Sequence, residues 1–223
     1  MAKLTVLLRV VFLLVLAASG PATLAAADGA SRIITVPALG VQGEGLPGVV
    51  NYILIQFDRT TAQDGPTVQF NEVNLGGGSL VSEEWKEGVR RAVRAVMQAV
   101  GDDGRDWLVT IKNRSMTALT DGMSASAAVA VGIMAAYSGE RIESDIALSG
   151  QITPDGRLDA VGGLHTKIEA AAGAHYRAIV VPRDQTLAPD WMFTTEVASR
   201  NRVQLIQAGT LEEAYQAMTA RSR

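Results

Sequence analysis

The chain has 223 residues, 48% hydrophobic and 5% aromatic, enough to bury a substantial core in one good-sized domain or two small ones. It contains no cysteine, which excludes thiol catalysis, zinc–thiolate sites and a disulfide framework. A net charge of −3 without a basic cluster is a poor match to a phosphate backbone, so no nucleic-acid partner is expected.

The first 30 residues, "MAKLTVLLRVVFLLVLAASGPATLAAADGA", have a basic start (Lys3, Arg9), an apolar stretch from Val10 to Ala18 and small residues at Ala25 to Ala27. This is the layout of a secretory signal peptide cleaved before Asp28. An uncleaved anchor is the alternative, but Gly20-Pro21 closes an apolar run that is short for a span of roughly 20 residues. Both readings make the protein exported, periplasmic or secreted, and membrane-bound only if the leader is kept. Without residues 1–27 the chain loses two basic residues and no acid, leaving 18 basic against 23 acidic residues, a net charge of −5.

"RIITVPALGV" and "VVNYILIQF" are rich in β-branched residues and bounded by Gly, Pro and Asp, so both read as strands, and the alternating "TVQFNEVNL" as a third. The period then changes. Val89, Val93, Val96 and Val100 recur at helical spacing, with Arg90, Arg91 and Arg94 opposite, Ser82 as a start and Gly101 as a stop. "DWLVTIKN" reads as a strand and "SASAAVAVGIMAAYSG" as a helix apolar nearly all round, hence buried centrally. "SDIALSGQITPDGRL" has strand-like halves around a Pro-Asp-Gly turn. "GGLHTKIEAAAGAHY" reads as a helix, "RAIVVP" as a buried strand and "TLEEAYQAM" as a terminal helix. The expected fold is a single compact α+β domain over residues 28–223.

The glycine clusters "GEGLPG" (43–48) and "GGGS" (76–79) lack the Lys-Ser/Thr ending of a phosphate loop and read as turns. His165 and His175 lie ten residues apart, not at the i, i+4 spacing of a shared metal. No cofactor and no metal is called for.

"DGMSAS" at 121–126 opens the apolar helix with a serine, Ser124. A serine is a weak nucleophile without a base, and a lysine can serve if burial keeps its amine neutral. Beyond the leader the lysines are Lys86, Lys112 and Lys167. Lys86 stands in the charged "EEWKEG" and Lys112 near a strand end, where it and Arg114 read as solvated loop charges. Lys167, in "VGGLHTKIEAAAGA", has the most apolar setting.

These stretches resemble the proteolytic domain of Lon proteases, the Ser-Lys dyad peptidases. The family's serine lies in D-G-P-S-A-G, followed by A-x-T-G-E-I-T and V-G-G-L-K-E-K. Here "DGMSAS", "ALSGQIT" (147–153) and "VGGLHTK" (161–167) stand in that order, with Lys167 43 residues beyond Ser124. The resemblance implies Ser124 as nucleophile and Lys167 as general base. It further implies Ser149 as the hydroxyl that holds the lysine, with Asp121 and Gly122 in the loop that shapes the oxyanion site. Ser124 would start the helix, where free N–H groups favour negative charge.

Each residue also has an ordinary reading. Ser124 can be a helix cap, Lys167 a residue that snorkels over the core, Ser149 a strand hydroxyl and Asp121 a turn residue. This chain departs from the family pattern at Met123, Ser126, Gln151, His165 and Thr166, and no motif of an AAA+ ATPase module is present. The expected function is an exported, ATP-independent serine endopeptidase acting on unfolded or flexible polypeptides. Met123 and Ser126, which alter the nucleophile loop, motivate a catalytically silent peptide- or protein-binding module as the alternative. The family's rings leave a homo-oligomer open.

Overall fold

The computed structural model describes residues 31–43, 45–73 and 78–219. The expected leader, residues 1–27, lies outside them, as do Gly76 and Gly77 of the second glycine cluster.

β1 (Arg32–Val41) and β2 (Gly48–Arg59) pair antiparallel from Arg32 opposite Phe57 to Val41 opposite Gly48. The segment expected as a turn joins them, with Gln42 N–H donating to the Pro47 carbonyl at 3.2 Å. β2 turns Val49, Asn51, Ile53, Ile55 and Phe57 inward, the period of two that a strand requires. β3 (Thr67–Phe70) is shorter than the sequence suggests. After β4 (Leu80–Val81), helix α1 (Glu83–Val100) starts where Ser82 accepts the Trp85 N–H and stops at Gly101, φ 68. Both ends match the sequence reading.

β5 (Trp107–Arg114) pairs antiparallel with β2, and β6 (Leu119–Thr120) runs parallel to β4. Helix α2 (Ser126–Ser138) is buried nearly all round, because α1, α5 (Leu211–Met218) and the sheet enclose it. At Gly132 a Cβ would crowd Val36 Cγ1 at 3.1 Å, so the glycine lets α2 lie close on β1. β7 (Ile146–Leu148) precedes a hairpin of β8 (Gln151–Ile152) and β9 (Leu158–Asp159), formed around the Pro-Asp-Gly turn as expected. Helix α3 (Leu164–Gly173), β10 (Ala178–Pro182), a 3-10 turn (Arg183–Leu187), α4 (Trp191–Arg200) and β11 (Gln204–Ala208) lead to α5.

Seven strands form one sheet in the order β11-β10-β7-β1-β2-β5-β3. Its N-terminal strands β1, β2 and β5 are antiparallel neighbours, while β1, β7, β10 and β11 are parallel. The expectation of one compact domain mixing helices and strands holds; its helices wind between parallel strands in a mixed α/β arrangement. α1, α2 and α5 cover one face and α3 and α4 the other. β10 shows the consequence: Ala178 and Val180 face the first layer, Ile179 and Val181 the second, so the strand reads as one apolar run. Among the described residues no helix is long and apolar enough to cross a membrane.

The C-terminal ends of the parallel strands meet the N-termini of α2 and α3 at one end of the sheet. In open α/β sheets this is where ligands bind.

Candidate active site

The turn carrying Ser124 is fixed from three sides. Upstream, β6 is pinned to β4, and Ser82 N–H donates to the Thr120 carbonyl at 3.0 Å. Asn113 Nδ2, on β5, donates to Thr120 Oγ1 at 2.7 Å. Asp121 comes next, exposed, its carboxyl held below the usual range first by the Ser82 hydroxyl and then by the Gly122 N–H. Gly122 has φ 80 with nothing within 4 Å of a Cβ position, so left-handed backbone is the reason for glycine here. Alongside, α1 presents Gly88, where a Cβ would lie 3.2 Å from Ser126 Cβ and 3.3 Å from Met123 Cγ.

Downstream, the turn is bonded to the segment after β7. Gly150 N–H donates to the Ser124 carbonyl at 2.9 Å, and Ala127 N–H to the Gly150 carbonyl at 3.1 Å. Ile152 N–H donates to the buried Ser126 Oγ at 2.9 Å. Ser126, one of the departures in the serine loop, thus ties that loop to β8. Replacing it by alanine leaves a buried N–H without a partner, which costs about 1–3 kcal/mol. The Ser126→Ala variant is therefore expected to denature at lower urea concentration with an unchanged slope.

Ser124 stands two residues ahead of α2, not at its first helical position as expected. The cap position belongs to Ala125, which makes no side-chain cap bond. A capping role therefore does not explain the Ser124 hydroxyl. Among the described residues the N–H groups of Ser124 and Ala125 have no hydrogen-bond partner. Beside the positive end of α2 they form a donor pair suited to a developing oxyanion.

Lys167 is reached from the opposite helix layer. Gly163, at φ 65, turns the chain into α3, and Lys167 follows as the fourth helical residue. Its side chain does not snorkel outward: it is 2% exposed, and Nζ donates to the fully buried Ser149 Oγ at 3.1 Å. Burial pushes the lysine amine down to about 8. The N-terminal end of α3 acts in the same direction, since its partial positive charge disfavours an ammonium. Lys167 and Ser124 are thus both bonded to the Ser149–Gly150 dipeptide. Among the described residues no hydrogen bond joins Ser124 Oγ to Lys167 Nζ directly.

The other lysines are engaged elsewhere. Lys86 pairs with Glu72 at 3.2 Å and Glu83 at 3.1 Å. Lys112 is not the solvated loop charge expected; it lies within β5 and donates to the Val73 carbonyl and Ser79 Oγ. Arg114 is exposed at the end of the same strand. His165 packs 5.4 Å from the Phe193 ring, and His175 follows α3 at φ 65. Among the described residues no group of three or more His, Cys, Asp or Glu is placed to hold a metal.

A cavity of about 310 Å³ opens beside Ser124, between the β1–β2 turn and the Thr117–Ala125 segment. Three contributors to the site carry no motif in the sequence. Gly48 brings β2 against α3, Gly88 seats the serine turn on α1, and Asn51 lines the cavity from β2. Only tertiary contact gives these residues their place. The one available sequence signal is an asparagine at an inward position of an otherwise apolar strand.

Comparison with known proteins gives the family of the chain. Residues 103–217, just over half the chain, match the family described as the Lon protease (S16) C-terminal proteolytic domain. The chain is similar to the archaeal Lon protease of Methanothermobacter thermautotrophicus, 27% identical over 141 residues, which are 60% of this chain and 22% of that protein. It is similar to the archaeal Lon protease of Archaeoglobus fulgidus, 25% identical over 123 residues, 55% of this chain and 20% of that one. Lon protease 1 of Sorangium cellulosum is 35% identical over 94 residues, 42% of this chain and 11% of its own length. The chain therefore spans about a fifth or less of the length of these curated relatives. With the serine turn, the buried lysine and the sheet end all inside the matched region, the chain belongs to the family of Lon protease (S16) C-terminal proteolytic domains.

Proposed function

We propose that the chain is a serine endopeptidase with Ser124 as nucleophile and Lys167 as general base, acting on unfolded or flexible polypeptides. The observation that supports it best is the buried Lys167 amine, depressed to about 8 and held by Ser149 on the dipeptide that also binds Ser124. The reading requires the Ser124 hydroxyl to turn to that amine, and hydrogen bonds of this kind are often long or poorly aligned until substrate is in place.

Ser124 Oγ attacks the peptide carbonyl while its proton passes to Lys167 Nζ. The oxyanion is met by the Ser124 and Ala125 N–H groups. The carbon–nitrogen bond then breaks, and Lys167 gives its proton to the leaving amine. Water adds to the acyl-enzyme as Lys167 takes a proton, the ester bond breaks, and the proton returns to Ser124. Hydrolysis in this form runs downhill and consumes no nucleotide. The leader motif supports export, which N-terminal sequencing of the mature protein tests.

Unstructured casein should be cleaved by the wild-type protein at a rate that added ATP leaves unchanged. Ser124→Ala should lower that rate by about 10³-fold or more. Because the base must be neutral, kcat/KM should rise about tenfold for each pH unit up to about 8 and then level off. Equal cleavage by Ser124→Ala, or a profile flat from neutral to alkaline pH, contradicts the assignment.

A further inference from the structure

Asn51 is hard to explain as a core residue. It is 4% exposed, between the inward-facing Val49 and Ile53 of β2, yet its Oδ1 has no hydrogen-bond partner. Among the described residues its Nδ2 has none either. Asn113 on the neighbouring strand also has an unpaired carbonyl, but its Nδ2 is engaged by Thr120. A buried unpaired amide destabilises a fold by about 1–3 kcal/mol, and valine would suit this strand position better. Where a residue breaks the local rule without compensation, a functional demand is the usual cause.

The cavity beside Ser124 supplies that demand. Asn51 lines it together with apolar Leu39, Val49, Trp85 and Leu119, and Ser124 stands on its wall. Gly40 makes room for the amide, since a Cβ there would lie 3.1 Å from Asn51 Nδ2. The amide plane turns easily about χ2, so both its carbonyl and its NH₂ can be offered to an occupant. At about 310 Å³ the cavity has room for a side chain of glutamine's size.

We propose that this cavity receives the substrate side chain next to the scissile carbonyl and that Asn51 selects a carboxamide there, glutamine above all. The proposal rests on the peptidase reading of Ser124. An aliphatic stem lies against the apolar walls, and the terminal amide exchanges hydrogen bonds with Asn51 in both directions. Asp121, also on the cavity wall and ionised at neutral pH, repels the glutamate that is otherwise glutamine's isostere.

The test uses peptides identical except at that residue, carrying glutamine, leucine, glutamate or lysine. The wild-type protein should give a glutamine-to-leucine ratio in kcat/KM of about tenfold or more, with glutamate the poorest. Asn51→Leu should reverse the ratio while still cleaving the leucine peptide, which separates selection from damage. If that variant does not fold, Asn51→Thr takes its place and should likewise lose the preference for glutamine over leucine. A wild-type preference for leucine overturns the proposal, as does an equal change in all peptides on substitution. A lysine preference also overturns it and moves selection to Asp121. If the wild-type protein cleaves neither these peptides nor casein, the peptidase reading itself fails and takes this one with it.

Discussion

Replacing Lys167 by methionine should abolish peptide hydrolysis and at the same time make the domain more stable. Methionine keeps the volume and the unbranched stem but carries no charge to desolvate. A fall of the amine from 10.5 in the unfolded chain to about 8 in the folded one corresponds to roughly 3 kcal/mol of destabilisation at neutral pH. Losing the hydrogen bond to Ser149 offsets about 1 kcal/mol of that, so the net gain is about 2 kcal/mol. The sign follows from proton counting. Between about 8 and 10.5 the unfolded chain binds the proton that the folded state has released, so wild-type stability rises with pH through that window. The advantage of Lys167→Met should therefore be full below about pH 8 and fade towards 10.5. Urea unfolding at a series of pH values measures it. A variant no more stable than wild type at pH 7 would mean that Lys167 is not held as a desolvated amine.

The second large effect should come from a residue that touches no substrate. At Gly48 a Cβ would fall well inside the radius of the Thr166 carbonyl oxygen, 2.7 Å from its carbon and 3.1 Å from Ala170 Cβ. These are atoms of α3, the first two of them backbone, so a side chain at position 48 can be accommodated only by moving the helix that carries Lys167. Gly48→Ala should destabilise the fold by about 1–3 kcal/mol. It should also lower kcat/KM by about 10²-fold, because an error of about 1 Å between nucleophile and base is enough for that. Gly162→Ala is the control. It lies just before the same helix with nothing within 4 Å of a Cβ position, and should leave activity unchanged. Equal activity of Gly48→Ala and wild type would show that the approach of β2 to α3 does not position the base.

Much of the frame could be read from the chain. α1 declares itself through its valine period and through Ser82 and Gly101, because capping and periodicity act over a few residues. α2 and β10 declare their burial by being apolar throughout. The helix α4 and strand β11 had no such signal: Pro189 and the mixed "WMFTTEVASR" obscure the helix start, and Gln204 and Gln207 break the apolar run of the strand. β4 and β6 are two residues long each, too short for any period, yet they hold the serine turn in place. In the site, Ser124, Ser149 and Lys167 could be singled out by their motifs. The bond of Ser126 to Ile152, the glycines at 48 and 88 and the unpaired Asn51 could not, since each depends on a neighbour more than 20 residues away in sequence.

The central claim, a lysine-activated serine, is tested most directly by covalent labelling. A fluorophosphonate probe should add once to the wild-type protein, on Ser124 by peptide mapping, at a rate that climbs with pH to a plateau above about 8. Lys167→Met, folded and more stable, should label at least about 10²-fold more slowly, and Ser124→Ala not at all. A folded wild-type protein that leaves Ser124 unlabelled, or a Lys167→Met variant that labels as fast as wild type, contradicts it.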